Sequence, residues 1–228
     1  MLRRMLRSER LAAVGTMAAG LAHEVRNPLN SASLQLTLLE RRLARLEGAA
    51  EILPITGVIK SEIDRLDRLV RDFLAFSQPR PLDVKKVYVE TLVSKLVDLI
   101  APVAEAGGVQ LATEVAPGLP AIAGDAERLR QVLLNLTRNA IEAMHGPGGT
   151  LMLRARRDDD AIELDVEDDG PGFSEELPVF DAFFTTKEQG TGLGLALVHR
   201  IVADHDGTIR VASRPGKTCF TLRLPTAT

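Results

Sequence analysis

The chain has 228 residues, of which 45% are hydrophobic and 26% are charged, and its formal net charge is −3 at pH 7. This composition is typical of a soluble globular protein of one or two domains, and the slight negative charge argues against a general nucleic-acid-binding role. A single cysteine, Cys219, excludes an internal disulfide and a cysteine metal cluster. We therefore interpret it as a buried strand residue of a protein in a reducing cytosol.

The N-terminal part of the sequence contains neither a membrane span nor a signal peptide. Its longest apolar stretch, residues 11–22, is well short of the roughly 20 residues that a spanning helix needs. A charged helical pattern precedes that stretch, which a signal peptide would not have. Residues 1–10 read as the middle of a helix, so we expect further sequence upstream. We expect a cytoplasmic core, and it stays open whether an upstream sensor region anchors it to the inner membrane.

Two long helices are predicted next, because apolar residues recur at spacings of three and four through residues 11–46 and 52–76. Such stripes form the seam of a helical bundle. Gly48 separates the helices, Pro54 suits the first turn of the second helix, and Pro28 should bend the first. Two helices cannot bury both stripes alone. Pairing with a second copy would give a four-helix bundle, and packing against the rest of the chain is the alternative.

The segment Gln78-Pro79-Arg80-Pro81 predicts a short, stiff linker between two domains. After it, strands and helices mix without regular alternation, which favours an α+β sandwich with helices on one face of a mixed sheet. The predicted elements are a helix over 90–106, a strand over 109–115, a helix from its cap Asp125 to about Met144, strands over 151–157 and 162–167, a helix from near Gly194, and strands over 208–213 and 218–224.

His23 has two neighbours that suit it to chemistry: Glu24 follows directly, and Asn27 lies one helical turn later. A lone histidine would most simply be a polar residue on the solvated face of the bundle. Here, however, Glu24 can hold a ring N–H or accept its proton, which leaves the other ring nitrogen able to attack. The Asn27 amide can orient a water or a phosphoryl oxygen without repelling it. The group indicates a histidine nucleophile that forms a covalent phosphoryl intermediate.

Asn135 and Asn139 lie four residues apart on a helix that is otherwise marked by an apolar stripe. Two amides one turn apart offer hard oxygen ligands to Mg²⁺, which keeps its other positions for phosphates and water. Taken alone, the pair would also fit two ordinary polar residues on the surface of a helix. Arg138, next to Asn139, can reach a phosphate or simply be solvated.

The string Asp168-Asp169-Gly170-Pro171-Gly172 directly follows a predicted strand. Asp168 can accept a hydrogen bond from an exocyclic amine such as that of adenine. Gly170 and Gly172 let the backbone approach a flat ring closely. By itself the string also fits a plain turn.

The run Gly190-Thr191-Gly192-Leu193-Gly194 opens a predicted helix. Its backbone N–H groups and the helix dipole favour an anion, so the run predicts a phosphate cradle. The glycine spacing differs from the dinucleotide-binding fingerprint, and no Gly-Lys-Ser/Thr follows as in a Walker loop.

Thr185, Thr186 and Lys187 precede this run and add two hydroxyls and a cation beside two phenylalanines. The Lys187 ammonium can steady a terminal phosphate. We expect residues 173–189 to form a mobile lid over a bound nucleotide.

These motifs together resemble the signature boxes of sensor histidine kinases. The matching strings are AAGLAHEVRNPL for the histidine box, QVLLNLTRNAIEAM for the N box, EDDGPGF for the first glycine box, and FFTTKEQGTGLGLALVHRIVADHDGTI for the F and second glycine boxes. The resemblance covers residues 8–226 and is strongest to the nitrogen-regulation and sporulation kinases. It implies a dimerisation and histidine-phosphotransfer domain over 1–78, a linker over 79–81 and a Bergerat-type (GHKL) ATP-binding domain over 82–228.

For the helical part, the resemblance implies that His23 is the phosphoacceptor, that Glu24 assists as acid or base, and that Asn27 occupies the position used in phosphatase chemistry. It also implies a homodimer, formed as a four-helix bundle. The partner would be a response regulator, whose receiver-domain aspartate takes the phosphoryl group.

For the second part, the resemblance implies ATP and Mg²⁺ as cofactors. Asn139 would be the metal ligand with Asn135 in support, and Asp168 would read the adenine. Three other functions remain as alternatives: another ATPase of the same fold, a protein-serine kinase of that fold, and a catalytically silent dimeric scaffold that only docks a regulator.

Overall fold

The computed structural model describes residues 25, 27–44, 52–77, 81–146, 148–187 and 190–227, apart from the Phe76 side chain. The fold divides into two compact units, one from Met1–Arg80 with Phe183–Leu193 and the other from Pro81–Ala182 with Gly194–Thr228. His23, Glu24, Gly48, Gln189 and the linker residues 78–80 lie outside the described residues. The domain limits expected at 78, 79–81 and 82 therefore stay a prediction.

The first unit contains two helices, α1 over residues 27–43 and α2 over Leu53–Ser77. Pro54 lies in the first turn of α2, as its missing N–H favours. Lys60 Nζ on α2 lies 3.6 Å from Glu40 Oε2 on α1, so the two helices lie side by side. Helical backbone continues through Pro28.

Most apolar side chains of the predicted seam are exposed in the single chain. Leu36 on α1 is a buried exception, with 8% of its surface accessible. The exposed seam residues of this hairpin include Leu39, Ile52, Ile55, Ile59, Leu66 and Leu69. The chain does not cover this stripe by itself within the residues that the structure describes.

The second unit is an α+β sandwich, as the irregular order of predicted strands and helices favours. Its elements in chain order are β1 Lys85–Val87, α3 Val89–Ala106, β2 Val109–Val115, β3 Ile122–Gly124, α4 Ala126–Ala143, β4 Gly149–Asp158, β5 Ala161–Asp168, α5 Gly194–Asp204, β6 Thr208–Arg214 and β7 Lys217–Pro225.

A five-stranded mixed sheet forms the centre of this unit, with the order β2-β4-β5-β7-β6. Strand β2 runs parallel to β4, and the other neighbours are antiparallel. The central strand β5 ends at Asp168, which is paired with Leu151 on β4 and with Thr218 on β7. This register places Asp168 at the C-terminal end of the central strand, where the chain leaves the sheet.

One face of the sheet forms the core, and the other carries ion pairs. Alternating residues of β5, such as Leu164 and Val166, are buried with the apolar stripe of α4. On the opposite face, the Arg156 guanidinium binds the carboxylates of both Glu163 and Asp165. This pattern matches a sheet whose helices cover one face only.

Two details differ from the expectations. Strands β1 and β3 form a separate two-stranded antiparallel sheet that the sequence pattern did not predict, because three residues are too few to show a period. Cys219 lies on β7 as expected, but it is only half-buried. Burial and the nearby Asp165 carboxylate raise the pKa of its thiol.

Among the described residues, no helix is long and apolar enough to cross a bilayer.

Candidate functional site

Asp168, at the end of β5, is buried, with 4% of its surface exposed. Its Oδ1 accepts a hydrogen bond from the Gly170 N–H at 2.9 Å, which fixes the orientation of the carboxylate. A Cβ at position 170 would lie 2.6 Å from that oxygen and 3.4 Å from Cβ of Ala143 on α4. Only glycine therefore allows the chain to turn this tightly against both the carboxylate and α4. The predicted turn is therefore present, and it is built around the buried Asp168 carboxylate.

The neighbouring Asp169 has a different environment. Its side chain is exposed, and its Oδ2 accepts a hydrogen bond from the Thr150 N–H at 2.9 Å. This bond ties the turn to the start of β4. Of the two aspartates, only Asp168 is buried at the edge of the core.

The backbone after the turn is attached to the end of β6. Gly172 has φ +69°, and a Cβ there would overlap the Arg214 carbonyl oxygen. The Phe173 N–H donates to Ser213 Oγ at 2.9 Å, and the Ser213 N–H donates to Glu175 Oε1 at 2.9 Å. Sequence reasoning missed Ser213 and Glu175, because these partners are about 40 positions apart and share no local pattern.

An aromatic group holds the first part of the predicted lid against the second unit. The Phe173 and Phe220 ring centroids are 6.4 Å apart, and those of Phe180 and Phe220 are 6.3 Å apart in an edge-on arrangement. The Phe180 ring also lies 5.6 Å from the His199 imidazole on α5. Residues 173–182 therefore pack against the sheet and α5, and the predicted lid is not one uniform segment.

Helix α4 presents the predicted metal ligands. Asp125 caps its N-terminus by accepting from two backbone N–H groups of the first turn. Asn135 and Asn139 are half-buried one turn apart, and Arg138 between them is exposed. Asn135 Oδ1 lies 3.9 Å from the position that a Cβ would take on Gly194, the first residue of α5. The structure thus brings the end of the glycine run next to the asparagine-bearing face of α4.

The residues around this edge fit a nucleotide with its metal. The N-terminus of α5 offers backbone N–H groups to an anion, and Asn135 and Asn139 offer neutral oxygen ligands to a hard cation. The buried Asp168 carboxylate offers an acceptor for an amine. These three chemistries match phosphates, Mg²⁺ and adenine respectively.

The remaining predicted residues lie in the loop 183–193, which belongs to the first unit. The Phe183 N–H donates to the Gly192 carbonyl oxygen at 2.9 Å and closes the loop at its two ends. Gly192 has φ +67°, and a Cβ there would overlap the Phe183 backbone. The closure therefore depends on glycine at position 192.

Inside this loop, the Thr185 hydroxyl accepts a hydrogen bond from the Lys187 N–H at 3.1 Å. The Gly190 N–H donates to the Lys187 carbonyl oxygen at 3.1 Å, and a Cβ on Gly190 would overlap Thr185 Oγ1. Thr185 thus shapes the loop. The side chains of Thr186 and Lys187 are exposed.

Thr191 and Leu193 are both engaged within the first unit. Thr191 Oγ1 donates to Asp72 Oδ2 of α2 at 2.9 Å and accepts from the Leu193 N–H at 3.3 Å. The Leu193 side chain is fully buried. The Thr191 hydroxyl therefore binds a carboxylate in this structure, and its expected place in the phosphate cradle stays a prediction.

The predicted phosphoacceptor group is described only in part. His23 and Glu24 lie outside the described residues, and Asn27 lies exposed on α1. The roles of these three residues stay predictions.

Two family models match the chain. Residues 13–82 match the His Kinase A (phospho-acceptor) domain, and residues 124–228 match the histidine kinase-, DNA gyrase B-, and HSP90-like ATPase. The chain belongs to the sensor histidine kinases. The identity rests on both domains together, because the ATPase domain alone is shared with other enzymes.

Curated sensor histidine kinases are similar over nearly the whole chain. Sensor histidine kinase ZraS of Escherichia coli (strain K12) is 40% identical over 224 residues, which cover 97% of this chain and 47% of ZraS. Sensory histidine kinase/phosphatase NtrB of Rhodobacter capsulatus is 35% identical over 237 residues, covering 98% of this chain and 65% of NtrB. The chain thus spans about half the length of ZraS and about two thirds that of NtrB.

Solved histidine kinases have the same fold. Full-length ShkA in complex with AMPPNP has a TM-score of 0.74 and 32% identity, covering 93% of this chain and 46% of ShkA. Histidine kinase ThkA in complex with response regulator protein TrrA has a TM-score of 0.70 and 26% identity, covering 97% of this chain and 64% of that protein.

Proposed function

We propose that this sensor histidine kinase core binds ATP with Mg²⁺, phosphorylates its own His23 and transfers the phosphoryl group to an aspartate of a response regulator. The observation that carries the proposal is the buried Asp168 carboxylate, oriented by Gly170, at the edge beside α4. ShkA, which is similar to this chain, was solved with AMPPNP, and ThkA was solved with a response regulator. The reaction consumes ATP, so we place the core in the cytoplasm.

On the nucleotide side, Asp168 accepts a hydrogen bond from the adenine amine. Asn139, supported by Asn135, holds the metal through its amide oxygen, and the N-terminus of α5 binds phosphate through backbone N–H groups. Mg²⁺, when bound, neutralises charge on the phosphate oxygens. Thr186 and Lys187, whose side chains are exposed, would contribute a hydroxyl and a cation to a terminal phosphate.

On the phosphotransfer side, one ring nitrogen of His23 attacks the γ-phosphorus. A nitrogen–phosphorus bond forms while the bond from that phosphorus to the bridging oxygen breaks, so ADP is the leaving group. Glu24 takes the proton from the other ring nitrogen. The regulator aspartate then takes the phosphoryl group from His23. Asn27, exposed on α1, orients a water for hydrolysis of the phosphorylated regulator.

We also propose that the functional form is a homodimer. The seam residues of α1 and α2, such as Ile55 and Ile59, are exposed in the single chain at 59% and 47%. A contiguous apolar stripe of this kind is typical of a helix-bundle interface. A second copy would bury the stripe in a four-helix bundle.

Asn139→Asp tests the proposed metal site. The new carboxylate would repel the phosphates, so we expect at least a tenfold loss of Mg²⁺-dependent autophosphorylation with an unchanged melting temperature. Arg130→Gln is the matched control, since it changes the charge of α4 by the same amount, in the first half of the helix, where the half-buried Arg130 pairs with Glu127. Normal labelling of Asn139→Asp by radioactive ATP would refute the assignment of Asn139 as a metal ligand. An equal loss of labelling in Asn139→Asp and Arg130→Gln would show that the loss comes from the changed charge of α4, which would also refute the assignment.

A further inference from the structure

His205 is a buried histidine that the proposed chemistry does not use. It follows the last residue of α5, and only 4% of its surface is exposed. Its Nδ1 lies 2.7 Å from the Ile201 carbonyl oxygen, and its Nε2 lies 2.9 Å from the Asp125 backbone nitrogen. Because the Asp125 N–H can only donate, Nε2 must accept, and Nδ1 must carry the proton that it donates to Ile201. Both ring nitrogens are therefore satisfied by a neutral imidazole.

The two bonds join the ends of two different elements. Ile201 belongs to the last turn of α5, whereas Asp125 is the N-cap of α4. At the other end of α5, Gly194 lies beside Asn135, in the middle of α4. The two helices therefore run in opposite directions, and α5 lies against α4 near both of its own ends. The His205–Asp125 bond is a polar contact between the two helices at the end of α5 that is remote from the glycine run.

The surrounding backbone is built around the imidazole ring. A Cβ on Gly124, which precedes Asp125, would lie 2.8 Å from Cδ2 and 3.2 Å from Nε2 of His205. The Asp125 carboxylate accepts from the N–H groups of Asp83, Glu127 and Arg128. Burial opposes the ionisation of Asp125, but these three bonds outweigh it and lower its pKa. Three backbone N–H groups thus bind the carboxylate of Asp125, and His205 accepts a hydrogen bond from its backbone N–H.

We propose that His205 is a positioning residue that sets the register of α5 against α4, and thereby the placement of the α5 N-terminus beside Asn135 and Asn139. The proposal rests on the nucleotide site proposed above. A shift of α5 along α4 would move the phosphate-binding N–H groups relative to the metal ligands, and displacements of about 1 Å are enough to impair such sites. His205 acts through the two helices and does not itself touch the nucleotide.

Three substitutions separate the two bonds of the imidazole. In His205→Gln, the side-chain oxygen reaches the position of Nε2 and can accept from Asp125. In His205→Asn, the amide nitrogen reaches the position of Nδ1 and can donate only to Ile201. His205→Ala removes both bonds. The matched control is Ile162→Val on β5, which loosens the core without altering either bond.

The measurement is calorimetric titration of the full chain with AMPPNP and Mg²⁺, beside the melting temperature without nucleotide. We expect His205→Gln to bind within about threefold of the wild type, and His205→Asn and His205→Ala to bind at least about tenfold more weakly. Ile162→Val should lose melting temperature but not affinity. The proposal is overturned if affinity simply follows melting temperature across all variants, if His205→Asn binds as the wild type does, or if His205→Gln binds as weakly as His205→Ala.

A second measurement does not depend on how the variants fold. The ¹⁵N spectrum of the wild-type imidazole should show the proton on Nδ1, and a proton on Nε2 would contradict the bond to Asp125. Failure of the proposed function is distinguishable, because the wild type itself would then bind no nucleotide. In that case the positioning role of His205 is also refuted.

Discussion

Asp168 and Asp169 are adjacent and carry the same side chain, but their surroundings give them different roles. Asp168 is buried, with its carboxylate held by Gly170, whereas Asp169 is exposed and anchors Thr150. The sequence could predict the turn because it is local, from Asp168 to Gly172, and the binding role of Asp168 stays a prediction. The roles of Ser213, His205 and Glu175 could not be predicted, since their partners lie 38 to 80 positions away.

The difference between the two aspartates gives a paired test. Asp168→Asn places an amide where the adenine amine needs an acceptor, so we expect the Kd for AMPPNP to rise at least about tenfold, or about 1.4 kcal/mol. Asp169→Asn keeps an acceptor for Thr150, and its Kd should stay within about twofold. Calorimetric titration measures both. Equal effects, or none in Asp168→Asn, would contradict the assignment of Asp168 to adenine.

At the scale of elements, long periodic segments were predictable, and short ones were not. The predicted helix over 90–106 agrees with α3 within one residue, and α4 starts after Asp125 as its capping side chain favours. Strands β1 and β3 have three residues each, and they are held by pairing with each other, which no local pattern reveals. The packing of residues 173–182 also depends on the distant Phe220 ring.

The loop 183–193 can be tested at Gly192. Gly192→Ala should cost about 1 kcal/mol from its positive φ and more from overlap with the Phe183 backbone, so the loop should open and AMPPNP binding should weaken several-fold. Gly118→Ala is the control, because Gly118 has φ +69° but an added Cβ meets no atom within 4 Å.

Titration and melting temperature are measured for both glycine variants. Gly118→Ala should have a lower melting temperature than the wild type but the same affinity for AMPPNP. If Gly192→Ala bound AMPPNP as tightly as Gly118→Ala does, the closed loop would have no part in nucleotide binding.

At the scale of the whole molecule, the seam predicted from the spacing of apolar residues is present but uncovered. Ile55, Ile59 and Leu66 on α2 are exposed in the single chain. Sequence periodicity predicted which residues form the stripe, but it could not decide between a second copy and the rest of the chain as its cover. The exposure of the stripe favours the second copy.

Ile59→Glu tests the homodimer. In the dimer, the new carboxylate would be buried in the seam with no opposite charge to compensate it. We therefore expect the dimer to dissociate at micromolar concentration. Leu99→Glu is the control: Leu99 on α3 is equally exposed, at 50% against 47% for Ile59, but lies outside the seam. Light scattering after size-exclusion chromatography measures the mass. A wild-type monomer, or a dimer retained by Ile59→Glu, would contradict the proposed assembly.

In the proposed reaction, His23 receives the γ-phosphoryl group of ATP. Its most direct test is incubation with γ-labelled ATP and Mg²⁺, with wild type and His23→Ala side by side, followed by acid and base treatment of the label. We expect a label that is lost in acid, is stable in base and is absent from His23→Ala, while both proteins bind AMPPNP equally. Acid-labile label in His23→Ala, or none in a wild type that binds AMPPNP, would contradict it.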